Sequence, residues 1–227
     1  MHNLEIIQKI FEYLTPARSG RYLHSIPDPV NAFKLYELNS KLCGTFWVSI
    51  QWYEVILRNL IDKALSQAYS ANWLEERSFL FTLKQQKQQS IEKAKKFASK
   101  NGQHHKNDVI ASLSLSVWLE ILSPKFLNQV WLKCIDDTFI NRPKNQEVAD
   151  FIKELSKRSH QILKLRNRIA HHEPIYYMNI QEAIDAISFT LVAIAPELLL
   201  VINKNFQASQ DIKHEIKTLI KQNKIAK

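Results

Sequence analysis

The sequence predicts an all-α protein, and three observations carry that expectation. Glycine is nearly absent, with 3 residues among 227, which disfavours tight hairpins, Rossmann turns and glycine-rich phosphate loops. Apolar residues recur at helical rather than alternating spacing along most of the chain. Seven prolines, with Asn, Asp and Ser at intervals, supply the starts and stops that helices require.

A first amphipathic helix is expected over residues 4–14. A polar link with Pro16, Pro27 and Pro29 follows, and a helix starts near Pro29 with Asp28 as its cap. A long helical pattern covers 41–69. A strongly polar helix spans 80–100 and stops at Asn101-Gly102. Asp108 can cap a helix through Ile121, and Ser123-Pro124 the next, through about Phe139. Asn145 or a neighbour starts the helix that leads to the histidine pair His171-His172, and Asn179 caps an apolar helix through Ile202. Residues 210–227 read as a basic amphipathic helix or a frayed tail. The pattern predicts one all-helical domain over 1–205 and a basic C-terminal helix or tail over 206–227. No internal repeat of fixed period is present.

Composition excludes several classes. The apolar fraction of 45% and the length suffice for a core without a disulfide or metal staple. Cys43 and Cys134 sit in apolar helical patterns with no disulfide framework around them. The charged amphipathic start is unlike a signal peptide. The most apolar run, 187–202, contains Pro196 and Glu197 and falls short of the roughly 20 residues a membrane span needs. A cytoplasmic protein without membrane contact is expected. The net charge of +9 and a pI near 9.4 point toward nucleic acid or another anionic surface.

The most informative stretch is 166–175, Arg-Asn-Arg-Ile-Ala-His-His-Glu-Pro-Ile. Arginine is a permanent cation whose fork fits phosphate. Histidine is suited to proton transfer near neutral pH. Together they are what a nuclease without a metal would need. On this helix Phe151, Leu155, Ile162, Leu165 and Ile169 form one apolar stripe, with Arg166 about 50° from its centre. His160, Lys164, Asn167 and His171 line the opposite side. Arg166 and His171 lie about 140° apart on a straight helix, so either the helix ends near His171, as Pro174 suggests, or two copies complete a site.

The helix over 41–69 has a core stripe of Cys43, Trp47, Ile50, Leu57, Ile61 and Leu65. Glu54 falls inside it and Arg58 at its edge. Charges on a buried face are costly unless paired. Glu54 and Arg58, four residues apart, can meet. Either a helix-to-helix salt bridge fixes register, or both face a functional cleft with Arg166.

Other chemistries find little support. Adjacent histidines on a helix point about 100° apart and chelate one ion poorly. No Cys/His cluster has zinc spacing, so no metal or other cofactor is expected. No nucleophile elbow or phosphate-binding loop is present. The five tryptophans read mostly as core. Tyr176 and Tyr177 flank the motif and are better placed to stack on bases. The seven lysines of 84–106 read as a solvated face, whereas the six basic residues of 151–172 adjoin the motif and could track a phosphate backbone.

The string Leu165 to Ile175 resembles bacterial Abi-like (abortive infection) proteins, and its Arg-x4-His pattern, from Arg166 to His171, resembles the signature of HEPN ribonucleases. The segment Glu54-Val55-Ile56-Leu57-Arg58-Asn59 is similar to their first long helix. Val117-Trp118-Leu119 and Val130-Trp131 are similar to their tryptophan-bearing middle region. The likeness covers about 30–205. It implies a HEPN-like helical bundle with additional helices, and a homodimer with the two motifs facing each other. It further implies metal-independent cleavage of RNA, often tRNA, that halts growth during phage attack.

With RNA as substrate, His171 is the expected acid or base and Arg166 the stabiliser of phosphorane charge. Asn167 would orient His171 or bind a phosphate oxygen, and Glu54 would pair with Arg166 or Arg58 and hold the fork in place. Arg58, Arg168, Lys164, His172 and Tyr176 would bind RNA or support the site. A toxin or effector of this kind is compatible with an antitoxin or regulatory partner. Two other classes remain: a non-catalytic RNA- or protein-binding helical module, and a scaffold in which the motif serves dimer structure.

Overall fold

The computed structural model describes residues 4–100 and 103–225, and the protein is all-α. Among the described residues ten α-helices follow in order: α1 Leu4–Ser25, α2 Pro29–Ala68, α3 Arg77–Thr82, α4 Gln85–Ala98, α5 Lys106–Ser112, α6 Leu115–Ile121, α7 Leu132–Thr138, α8 Val148–Ala170, α9 Ile180–Ile194 and α10 Leu198–Ile225. The one strand pairing among the described residues is the two-residue ribbon Ser99–Lys100 with Gln103–His104. The expected stop at Asn101-Gly102 lies outside the described residues.

Local chemistry explains where the helices depart from expectation. α1 continues past the expected link to Ser25, with a break at Thr15 (φ 61, ψ 157). A residue before proline avoids the helical region, and Pro16 then starts a new helical run, where its missing N–H costs nothing. The two helices expected from Pro29 and from residue 41 are one 40-residue helix. Asp28 caps it as expected, its carboxylate accepting from the Asn31 N–H at 2.8 Å. The polar helix divides at Leu83 into α3 and α4, and the next at Leu113 into α5 and α6. Asp108 lies in the first turn of α5 rather than at its cap. A 3-10 turn, Pro124–Phe126, and a π-helical turn, Leu127–Trp131, precede α7.

Where one domain over 1–205 and an appended tail are expected, the chain forms two compact units, each assembled from separated stretches. The first comprises Met1–Ser49, Asn167–Ile180 and Ile202–Lys227; the second comprises Ile50–Arg166 and Gln181–Val201. In the first unit, Ile7, Tyr22, Leu35, Leu42, Phe46, Ile175 and Phe206 are buried together with Ile216 and Leu219 of the basic C-terminal helix. Thr45 and Ser209 hydroxyls meet at 2.7 Å, and Asn31 Nδ2 donates to Asn223 Oδ1 at 3.1 Å. These contacts bind α10 to α2.

The second unit is packed around aromatic rings. Trp73 lies edge-on to Phe79 and Trp118, and its indole N–H donates to Asp62 at 2.7 Å. Trp131 donates to the Ile121 carbonyl at 2.8 Å. Tyr53 of α2 donates to Ser159 of α8 at 2.6 Å, in full burial. Buried polar groups are tolerated when partnered in this way. Glu120, buried in α6, accepts from the Lys84 N–H at 3.3 Å and from the Lys125 ammonium.

The stripe of α8 is as expected: Phe151, Leu155, Ile162, Leu165 and Ile169 are all buried. That of α2 is shifted by one residue in its first half. Leu42 and Phe46 are buried, whereas Trp47 is 42% exposed. Adjacent apolar pairs, 42/43 and 46/47, allow either register, and packing selects one. Trp52 is exposed as well, so three of the five tryptophans, Trp73, Trp118 and Trp131, are core residues.

Candidate functional site

The motif is divided between the two units. Arg166 belongs to the second, and Asn167 through Ile175 belong to the first.

In the second unit, Arg166 Nε donates to Glu54 Oε1 at 3.2 Å, with both side chains about one-third exposed. This is the pair that forms. Arg58 turns instead to the Ala111 carbonyl, at a long 3.4 Å, and its buried Nε has no hydrogen-bond partner. The bridge that forms therefore runs from helix to helix, α2 to α8, and not between the i,i+4 neighbours Glu54 and Arg58. Lys164, two residues earlier, is exposed on the side of α8 opposite the core.

In the first unit, α8 ends in a Schellman motif. The His172 N–H donates to the Ile169 carbonyl at 2.9 Å, and the Glu173 N–H to the Arg168 carbonyl at 2.8 Å. His172 takes the left-handed position, with φ 55, where glycine is usual. The accompanying side-chain contact is ionic: Arg168 meets Glu173 at 3.1 Å. Arg168 also donates to the Pro174 carbonyl at 3.2 Å and to the Tyr177 hydroxyl, and its guanidinium lies over the Tyr177 ring. Arg168 thus braces the turn.

Arg18 of α1 donates to the carbonyls of both His171 and His172. A cation at a helix C-terminus satisfies orphan carbonyls and favours the helix dipole. Beyond the turn, Asn39 of α2, 4% exposed, accepts from the Ile175 and Tyr176 N–H groups at 2.8 and 3.0 Å. Lys213 of α10 donates to the carbonyls of Tyr176 and Met178. Burial, followed by the charge of Lys217, holds its ammonium below the usual lysine range. The backbone on both sides of the histidines is therefore anchored by side chains from three other helices.

The imidazole of His171 and the amide of Asn167 are exposed. Neither has a hydrogen-bond partner among the described residues. They can meet a ligand without first breaking an internal bond. Tyr176 cannot stack on a base. It is buried against Tyr22, and its hydroxyl is engaged by Ser25 and the Arg21 carbonyl. Tyr177, 55% exposed, is the accessible ring of the pair.

Sequence reasoning missed Arg18 and Asn39. Arg18 lies in what reads as a link after Pro16. Asn39 was detectable as an amide within the apolar run Leu35, Leu38, Leu42. A cavity of about 480 Å³ in this unit was missed as well; Trp47 and Gly44 of α2, and Ile169, Ala170 and His172 at the end of α8, contribute to its wall. No group of three or more His, Cys, Asp or Glu side chains among the described residues could hold a metal ion, and no described helix is long and apolar enough to cross a membrane.

No protein-family model, curated protein or solved structure matches this chain.

Proposed function

We propose that this chain is a metal-independent endoribonuclease of the HEPN type, acting as an abortive-infection or toxin effector in phage defence. The observation that carries the reading is the Glu54–Arg166 ion pair. It fastens the arginine of an Arg-x4-His string whose histidine is exposed and whose backbone is capped. An arginine held by a carboxylate at the edge of a core is preorganised to meet phosphate.

RNA carries its own nucleophile. His171 acts on the proton of the 2′-hydroxyl or of the leaving 5′-oxygen. The 2′-oxygen bonds to phosphorus, the bond from phosphorus to the 5′-oxygen breaks, and that oxygen takes up a proton. The products are a 2′,3′-cyclic phosphate and a 5′-hydroxyl. Arg166 stabilises the charge that develops on the phosphorane, and Asn167 orients His171 or a phosphate oxygen. As the resemblance implies, a homodimer with the two motifs facing each other completes the site. DNA, lacking the 2′-hydroxyl, is inert. Such an enzyme requires restraint by an antitoxin or regulatory partner.

The test is cleavage of total RNA by purified protein in excess chelator. His171→Ala and Arg166→Ala are each expected to lower the rate about 10²- to 10⁴-fold, and Glu54→Gln less. Equal cleavage by wild type and both alanine variants would sink the reading. Retained RNA binding with no cleavage by wild type would leave a binding module.

A further inference from the structure

The cavity of the first unit has a floor that protein packing does not explain. Gly44 lies inside the 40-residue α2, where glycine weakens a helix relative to alanine. Its backbone is helical, so no positive φ requires it. A β-carbon there would meet no atom of the described residues within 4 Å, so none of the described elements requires the space. The missing side chain leaves room for something the chain itself does not supply. Close approach of backbone to a ligand is a common reason for such a glycine.

The wall defines the class of ligand. Residues 36, 40, 43, 44 and 47 recur at helical spacing on one face of α2 and place Tyr36, Ser40, Cys43 and Trp47 around Gly44. Trp47 is 42% exposed. The opposite wall is the end of α8, including His172. None of the described residues that line the cavity is a Lys, Arg, Asp or Glu. The Cys43 thiol stays neutral, since burial pushes it up to about 11 against the opposing hydrogen bond from Asn39. A flat, uncharged ring with polar edges finds an indole, a phenol, a hydroxyl and an imidazole. The volume of about 480 Å³ lies within the roughly 300–1,000 Å³ usual for ligand pockets.

The geometry points to a nucleobase pocket: Trp47 and the open space over Gly44 receive one unstacked base of single-stranded RNA, beside the cap that carries His171 and His172. Aromatic side chains bind single strands by stacking on bases that have left their own stack. The exposed imidazole of His171 directly precedes His172 on the cavity wall, so the bound base belongs to a nucleotide next to the phosphate under attack. This rests on the nuclease reading for its meaning, but not for its test.

The probe is a fluorescent single-stranded 2′-O-methyl RNA heptamer, which cannot be cleaved, titrated by anisotropy in excess chelator. Trp47→Ala should weaken binding by about 5- to 150-fold, the range for loss of one stacked base. Gly44→Leu should weaken it comparably while the melting temperature holds or rises, because leucine is the better helix former and the space is empty. A set of heptamers with one abasic residue moved along the strand should contain a weak binder for wild type. That position should cost Trp47→Ala almost nothing further. The inference is overturned if every abasic heptamer binds wild type as well as the intact strand. It is equally overturned if Gly44→Leu binds like wild type. If no chain cleaves RNA yet this pattern appears, the nuclease reading fails and the pocket stands.

Discussion

The two parts of the motif are held in opposite ways. In the second unit, Arg166 is fixed by its side chain, through the Nε bond to Glu54. In the first, His171 is fixed by its backbone: Arg18 grips its carbonyl, the Schellman turn follows, and Asn39 anchors the next stretch. Its imidazole is unpartnered among the described residues. The difference suits the chemistry proposed for each. A charge stabiliser works best when its dipole or charge is already oriented. A proton-transfer group must reach and leave its partner, so its ring needs freedom while its Cα needs none.

The largest effect is expected from breaking the backbone hold at Asn39. Asn39→Ala removes the acceptor of two buried N–H groups, those of Ile175 and Tyr176. Leaving buried donors unsatisfied costs about 1–3 kcal/mol each, so a loss of roughly 2–4 kcal/mol is expected. Denaturant unfolding would show this as a lower midpoint. A loss below about 0.5 kcal/mol would mean that water replaces the amide and the segment is not anchored there.

The second unit offers the electrostatic counterpart in Glu120. Burial works to raise its carboxyl, but the hydrogen bonds from Lys125 and the Lys84 N–H, with the charges of both lysines, outweigh it and hold the pKa below the usual range. A depressed carboxyl contributes stability that is present above the unfolded-state pKa and is lost as pH falls through the folded value. Glu120→Gln should cost about 1–2 kcal/mol at neutral pH, and the gap between variant and wild type should close on acidification. A gap independent of pH would assign the loss to packing rather than charge.

Much of this was legible in advance, and the failures have physical causes. The all-α class follows from three glycines and helical periodicity. The α8 stripe was readable because its apolar residues occupy one face with no rival register. The α2 stripe was readable from Ile50 onward but not before it, because 42/43 and 46/47 are adjacent apolar pairs that serve either register. Glu54 was recognisable as a charge inside a buried face, with Arg166 or Arg58 as its candidate partner. A spacing of four favours neither over a residue from another helix, and the partner that forms is Arg166. By sequence Tyr176 reads as a stacking ring because it follows the motif. Its burial depends on Tyr22, Ser25 and Arg21 of α1, contacts more than a hundred residues away in sequence that no local pattern records.

Arg18 tests the backbone hold more gently. Arg18→Ala removes two charge-assisted bonds to the carbonyls of His171 and His172, but at an exposed position where water substitutes. About 1 kcal/mol of stability is expected to go. Amide hydrogen exchange should quicken at His172 and Glu173, whose N–H groups close the turn, while Tyr53 and its buried bond in the second unit stay protected. Uniform quickening across both units would mean that Arg18 supports global stability rather than the cap.

The smallest effect is expected to be a gain. His172 sits at φ 55, in the left-handed region, where a side chain other than glycine is disfavoured by about 1–2 kcal/mol. Glycine relieves that strain but adds freedom to the unfolded chain, which offsets part of the gain. His172→Gly should therefore raise stability by about 0.5–1 kcal/mol, read as a higher melting temperature. If the midpoint falls instead, the imidazole of His172 makes a contribution at the cavity wall that outweighs its backbone strain. A histidine kept at a glycine position, against its conformational preference, is then retained for what its ring does there.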